Sequence, residues 1–527
     1  MRDFHSPGRS TLYARNGICA TSHPLGAEVA VQMLRDGGNA VDAAIAGAVV
    51  LGLAEPAMTG IGGDMFALVK PAGTEEIIGL NASGRAPGAA DAAALRARGW
   101  TKIDENSTDA VVVPGAIAGF AILSEDYGLK GLDACLAPAI HYADEGVPVA
   151  PRAAFDWKLA EPRLQGSART HFLRNGKAPE AGDLFHAPGQ AEALRRVSAS
   201  GPQAFYEGEV AEDMIAALQA GGTTFSAEDF AGCRADYVTP VRTNYRDLEV
   251  VELPPNSHGV TALMMLRILE RYDLSSLDPF GTERAHLEIE AAKLAYASRD
   301  RAISDPDYMT TTVEEFLDKA VIAELAERID PTRAMAPFAA PLGSPHRDTI
   351  YITVVDRDRM VVSLIYSVFH SFGVGRASER FGINFNNRGA GFTLAEGHPN
   401  ELGPRKRPLH TIIPGLVRHG GRVAMSFGVM GGAYQPHGHA RLVTNIHDFG
   451  MDVQAAIDGP RLDQEAGEVR IERGYAPEVW EGLRARGHVC VGREVPIGGA
   501  QAIMLDPIRD VLIAGSDPRK DGIALGY

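Results

Sequence analysis

Two thirds of the way along the chain a threonine opens a strand-like run, Asp348-Thr349-Ile350-Tyr351-Ile352-Thr353-Val354-Val355-Asp356. Thr349, Tyr351, Thr353 and Val355 alternate with Ile350, Ile352 and Val354, the period of a β-strand with both faces partly buried. The stretch before it, from Asp330 to His346, carries Pro331, Pro337, Pro341 and Pro345 and has the composition of an exposed, mobile linker. A linker that delivers a hydroxyl residue to the head of a buried strand is the arrangement of a self-cleaving amino-terminal nucleophile. A threonine hydroxyl alone is a poor nucleophile. Once the peptide bond before it is cut, the same residue supplies an α-amino group with a pKa of about 7.7 to 8.0, so one residue holds both nucleophile and base. Without other signals the bland reading, a threonine present for its β-propensity, would win.

The elements that must position such a residue are legible around it. Leu25 to Asp36 has apolar residues at helical spacing, Gly37-Gly38 ends that helix, and Asn39-Ala40-Val41-Asp42 starts a second, almost wholly apolar one. The longest apolar run, Ala43 to Ala54, is too short to span a bilayer and reads as a core helix. Met65 to Lys70 and Glu76 to Leu80 read as strands, about Pro114 to Ala220 as a helical layer, Tyr237 to Leu253 as strands and Gly259 to Arg301 as helix. Asp356-Arg357-Asp358-Arg359 can turn the threonine strand back into Met360 to Ser367 as an antiparallel pair. At 527 residues two intimately packed halves or two domains are expected, and 45% hydrophobic with 22% charged residues is ordinary globular composition. A net charge of -16 disfavours nucleic acid and anionic membranes as partners and leaves small solutes. Cys19, Cys135, Cys233 and Cys490 are far apart without a CxxC, so buried thiols are expected rather than disulfides or zinc. No apolar segment follows the first eight residues as in a secretory signal, which makes the cytoplasm the expected location.

Thr21-Ser22-His23-Pro24, Asp36-Gly37-Gly38-Asn39-Ala40-Val41-Asp42-Ala43-Ala44, Glu55-Pro56, Thr59-Gly60-Ile61-Gly62-Gly63-Asp64 and Val113-Pro114-Gly115 resemble, in order and spacing, the γ-glutamyltranspeptidase family. The resemblance continues through Asp348-Thr349, Val354-Val355-Asp356, Asn386-Asn387, Pro404-Arg405-Lys406-Arg407-Pro408-Leu409, Met430-Gly431-Gly432 and Ala456-Ile457-Asp458-Gly459-Pro460-Arg461, covering nearly the whole chain. It implies an α+β fold, the four-layer αββα sandwich of amino-terminal-nucleophile hydrolases. It also implies self-cleavage between Asp348 and Thr349 into a large chain, residues 1–348, and a small chain, residues 349–527, that stay associated. Gly431 and Gly432 become the backbone oxyanion hole, where the missing Cβ lets amides approach a tetrahedral oxygen. Ser367 becomes a second hydroxyl beside the nucleophile.

The departures from the family pattern point to the substrate. Where its transpeptidases carry an arginine that holds the glutamyl α-carboxylate, this chain has Ser83, with Arg85 the nearest cation. Where an acid reads the glutamyl amine after Asn386-Asn387, this chain offers Arg388, and a serine pair is replaced by His410-Thr411. A cation in place of an acid suits a substrate with a carboxylate and no α-amine, because guanidinium pairs bidentately with carboxylate. Arg85, Arg388, His410 and Thr411 are therefore the expected substrate contacts, and the resemblance is to the oxamate amidohydrolase branch, acting on a very small amide that bears a carboxylate. The alternatives are a γ-glutamyl hydrolase or transpeptidase acting on glutathione-like substrates, and an unprocessed, noncatalytic family member. His437 and His439 form an HxH pair without an acid or cysteine cluster nearby, and Ser371 to Gly375 lacks a GxGxxG continuation, so no metal, nucleotide or other cofactor is expected. Oligomeric state is left open, a homo-oligomer included.

Overall fold

A computed structural model describes residues 8–336 and 349–527. Asp348 and the linker prolines Pro337, Pro341 and Pro345 lie outside the described residues, and so does the Asp348–Thr349 junction. Two seven-stranded antiparallel sheets face each other. The first has the spatial order Ile523–Gly526, Ile18–Thr21, Ile350–Val355, Val361–Ser367, Asp64–Lys70, Ile78–Ala82 and Asp236–Val238. The second runs Leu12–Ala14, Val511–Ser516, Gly499–Asp506, Arg422–Met430, Gly415–His419, Leu248–Glu252 and Val241–Tyr245.

The strand that follows Thr349 is central and buried on both faces, which is why its sequence is apolar at nearly every position. Ile350, Ile352 and Val354 face a helical layer that includes Pro24–Arg35, Ala40–Ala54, Ala116–Tyr127 and Leu132–Glu145. Tyr351 and Val355 face the other way, into the space between the sheets with Phe66, Ile365, Leu416 and Ile503. A second helical layer of Gly259–Leu269, Thr282–Ala302 and Gln435–His447 covers the outer face of the second sheet. The four layers are thus helix, sheet, sheet, helix, the αββα sandwich that the family resemblance implies. All fifteen residues of Ala40–Ala54 are buried, the core helix read from its composition. Its start is fixed chemically: the Asn39 side chain accepts from Val41 and Asp42 N–H, and Asp42 accepts from Asn39 N–H at 2.9 Å.

Interleaving is the main feature of the first sheet. Ile350–Val355 pairs on one side with Ile18–Thr21 (Ile352 opposite Thr21) and on the other with Val361–Ser367 (Ile350 opposite Tyr366). Val361–Ser367 in turn pairs with Asp64–Lys70, with Ser367 opposite Asp64. The turn expected at Asp356 to Arg359 is present, and the Asp356 carboxylate accepts from Asp358, Met360 and Ala40 N–H, tying the turn to the buried helix. Cys19 and Cys135 are buried free thiols as expected, whereas Cys233 and Cys490 are only half-buried. Among the described residues no helix is long and apolar enough to cross a membrane.

Polar contacts between the sheets set how they are stacked. Thr353 Oγ1 and Ser426 Oγ lie 2.6 Å apart, both fully buried. Thr353→Val is isosteric but leaves the Ser426 hydroxyl only the long contact to the Tyr351 hydroxyl at 3.5 Å, so it should destabilise the protein by about 1 to 3 kcal/mol, while the double change Thr353→Val with Ser426→Ala should recover most of that loss. Thermal melting of the two single variants and the double variant checks this.

Candidate active site

Thr349 is buried at the head of the central strand, and its Oγ1 donates to Ser367 Oγ at 3.3 Å. Ser367 Oγ also accepts from Phe369 N–H at 2.9 Å. On the far side of Ser367 stands Asp64, and that approach explains the glycines before it: a Cβ on Gly63 would come within 2.3 Å of Ser367 O, and one on Gly62 within 2.0 Å of Asn384 O.

Asp64, Arg388 and His410 are fully buried and meet at one carboxylate oxygen. Asp64 Oδ2 accepts from His410 Nε2 at 2.7 Å and from Arg388 Nε at 3.2 Å. Arg388 Nη1 donates to Thr411 Oγ1 at 3.1 Å, its Cζ lies 4.3 Å from the Phe369 ring centroid, and its Nη2 has no hydrogen-bond partner among the described residues. Burial lowers the Arg388 guanidinium to about 10 while Asp64 supports its charge, so it stays cationic at neutral pH. Burial, reinforced by the Arg388 cation, pushes His410 down to about 3, so its imidazole is neutral and donates to Asp64 from Nε2. The Asn386 side chain braces this wall, accepting from Arg388 N–H at 3.1 Å and donating to the Gly62 and Val112 carbonyls at 2.9 Å. Asn387 accepts from His370 N–H and donates to Glu105 O, and His370 Nδ1 lies 2.5 Å from Glu105 Oε2. The His370 hydrogen bond is the main cause that takes the Glu105 carboxyl down to about 2.

Gly431 and Gly432 turn the chain off the end of Arg422–Met430 at φ +124° and +56°, a conformation in which a side chain would be strained. Between the sheets Thr353 is level with Ser426, and Tyr351 with Gly428, where an added Cβ would meet the Tyr351 ring at 2.4 Å. Continuing that alternation by one step would set Thr349 opposite Met430, the residue before the glycine turn.

The expected substrate contacts do not all gather here. Arg388, Thr411 and His410 form one cluster, with His410 joined to it through Asp64. Arg85 stands apart: it is 41% exposed, donates to Asp305 at 3.3 Å and to Arg405 O at 3.1 Å, and lines a separate cavity of about 490 Å³ with Ser83 and Cys233. His437 and His439 lie in the helix Gln435–His447, where His439 Nδ1 contacts Glu252 Oε1 at 2.7 Å. A different group, His286, Glu290 and His488, brings three ligand atoms together, but Lys293 Nζ donates to Glu290 at 2.6 Å and the two rings bond each other at 2.8 Å, so its charges and donors are balanced without an ion. Sequence reasoning quoted Asp64 without assigning it a role, although an acid directly before the apolar run Met65 to Leu68 signals a buried charge that needs a cation. Phe369, Glu105 and His370 carried no sequence signal.

A threonine-headed strand in the middle of an αββα sandwich, flanked by a second hydroxyl and a buried polar wall, defines an N-terminal-nucleophile hydrolase, and the chain is an amidohydrolase of that class. The family model described as gamma-glutamyltranspeptidase matches residues 26–527, and the chain belongs to that family. It is 35% identical over 524 residues to a glutathione hydrolase-like proenzyme of Bacillus subtilis, with 97% of this chain and 98% of the relative covered. It is 33% identical over 542 residues to an oxamate amidohydrolase proenzyme of Klebsiella pneumoniae, covering 99% and 100%. The crystal structure of cephalosporin acylase from Bacillus halodurans superposes with a TM-score of 0.93 at 36% identity over 100% of this chain and 99% of that one.

His410 also makes the site sensitive to acid. It is neutral in the fold down to about pH 3, whereas an unfolded histidine binds a proton near pH 6.5. Its contribution is therefore fully present above about pH 6.5 and is lost as pH falls from there toward 3. His410→Asn keeps a donor to Asp64 without a titrating ring, so its melting temperature should fall less between pH 7 and pH 5 than that of the unaltered protein.

Proposed function

We propose that this chain is a self-processing amino-terminal-threonine amidohydrolase whose substrate is a small amide bearing a carboxylate, with oxamate cleaved to oxalate and ammonia. The observation that carries the substrate reading is the Nη2 of Arg388, a buried cationic donor with no hydrogen-bond partner among the described residues, in a cluster that borders Ser367 and Thr349. The naming of a 33% identical relative as oxamate amidohydrolase agrees with it.

In the processing step the Thr349 hydroxyl adds to the Asp348 carbonyl carbon, the amide bond breaks as an ester forms, and water hydrolyses that ester. The products are an Asp348 carboxylate and a free Thr349 amine. In turnover that amine takes the hydroxyl proton while Oγ1 attacks the substrate amide carbon. Ser367 Oγ holds the hydroxyl in place, the Gly431–Gly432 amides stabilise the oxyanion, and the proton passes to the departing nitrogen, which leaves as ammonia. Water then releases the acid and restores the amine. Residues 1–348 and 349–527 are read as two chains that remain together, because Ile350–Val355 of the second lies against Ile18–Thr21 of the first, and Val361–Ser367 against Asp64–Lys70. The cytoplasm is the proposed location.

Intact-mass measurement should find two chains, the smaller beginning at Thr349, and Thr349→Ala should abolish both processing and turnover. An active protein made of one uncut chain, or normal activity in that variant, would rule the mechanism out. Ammonia release from oxamate tests the substrate. Arg388→Ala should lower kcat/KM for oxamate by about tenfold to a hundredfold while a neutral amide analogue changes little, as expected when one charge-assisted hydrogen bond of about 1.5 to 3 kcal/mol is lost. Equal losses on both would mean that Arg388 only supports the fold. Efficient γ-glutamyl transfer from glutathione to glycylglycine would instead favour the reading in line with the 35% identical glutathione hydrolase-like relative.

A further inference from the structure

Phe369 ties the hydroxyl beside the nucleophile to the buried cation. Its backbone N–H donates to Ser367 Oγ at 2.9 Å, and its ring centroid lies 4.3 Å from Arg388 Cζ. It does so at φ +84°, where a residue with a β-carbon is rare and an aromatic one rarer. A strained backbone of this kind persists only where its surroundings over-determine it. Here the ring is 2% exposed and also stacks on His370 at 4.2 Å with 30° between the planes. His370 is itself pinned by Glu105 at its Nδ1 and by Asn387 at its backbone N–H. The positive φ lets one residue place its amide on Ser367 and its ring on Arg388.

We propose that Phe369 is a specificity-determining residue, which limits the length of the acyl group held between Thr349 and Arg388 and keeps the in-plane donor edge of Arg388 turned toward it. The guanidinium carbon lies over the ring, so a ligand reaches the cation through the N–H groups the ring leaves open. With its amide on Ser367 and its ring on Arg388, Phe369 is the bulk that a longer acyl chain reaching between them would have to displace. The substrate class is then an amide with no methylene, or one, between the scissile carbonyl and the carboxylate. This rests on the reading of Arg388 as the partner of the substrate carboxylate.

The test is the profile of kcat/KM for ammonia release across oxamate, malonamate, succinamate and glutaramate, measured on the processed enzyme and on two variants. Phe369→Gly removes the ring and suits a positive φ. It should lose about tenfold or more on oxamate and move the preferred acid to one at least one methylene longer. Phe369→Leu keeps bulk but not the aromatic face, so it should keep the length preference of the unaltered enzyme while KM for oxamate rises about threefold to tenfold. A Phe369→Gly enzyme that is cut at Thr349 and retains the original length preference overturns the proposal. Should that variant fail to process, Phe369→Leu decides, because an unchanged KM for oxamate removes the ring's hold on Arg388. Unaltered enzyme inactive on all four acids refutes the carboxylate reading of Arg388 itself, an outcome separable from failure of Phe369 alone.

Discussion

One buried charge pair, Asp64 with Arg388, constrains everything near Thr349. Both side chains are fully buried, and each ion loses several kcal/mol of hydration that only close, well-directed partners can offset. Asp64 accepts from His410 as well as from Arg388, and Arg388 donates to Thr411 and lies over the face of Phe369. To bring the aspartate there, the strand Asp64–Lys70 must lie against Val361–Ser367 from its first residue, and the two glycines before it give the backbone the clearance it needs. The arginine sits where the chain leaves Asn386 and Asn387, whose amides bond to both neighbouring loops. The polar wall is thus set before any substrate arrives.

This pairing also qualifies what Arg388 offers. Its charge is largely answered by Asp64, so a ligand meets a directed donor rather than an uncompensated cation, and a carboxylate bound there would lie near a second carboxylate. A site of this type discriminates by geometry and by the number of groups it can satisfy, and it penalises a ligand that leaves a donor unmatched. Proteins named as a glutathione hydrolase-like proenzyme, an oxamate amidohydrolase and a cephalosporin acylase share 33 to 36% identity with this chain. Under the proposed function the threonine-headed strand supplies the chemistry and the wall beside it the selectivity.

Local pattern made the scaffold readable. The alternation from Thr349 to Val355 marked a strand buried on both faces, Gly37-Gly38 marked a break between helices, and the turn after Val355 predicted an antiparallel partner, all of which depend on residues a few positions apart. The threonine at the head of that strand was legible for the same reason. The wall was not, because Asp64 and Arg388 meet across 324 positions of sequence and only sheet register brings them together. Arg85 looked equivalent to Arg388 as a residue type, yet its loop turns it toward Asp305 and solvent, and composition carries no such information. His410 read as a contact for substrate and stands behind Asp64 instead. The φ of Phe369 has no signature in its neighbours, since no glycine marks the position.

The interleaved order of the first sheet has a consequence for the history of the molecule. Strands from before and after residue 348 are interleaved in it, with Ile18–Thr21 between Ile523–Gly526 and Ile350–Val355, so its contacts are all intramolecular only while the polypeptide is continuous. After a cut, the same ladder could be rebuilt only by two separate polypeptides that meet in solution, each exposing the edges and apolar faces that the other once covered. Folding would then be first order on the way in and second order on any way back, with aggregation competing against reunion. The durability of such an enzyme would be governed by how slowly it opens rather than by a reversible balance between folded and unfolded states.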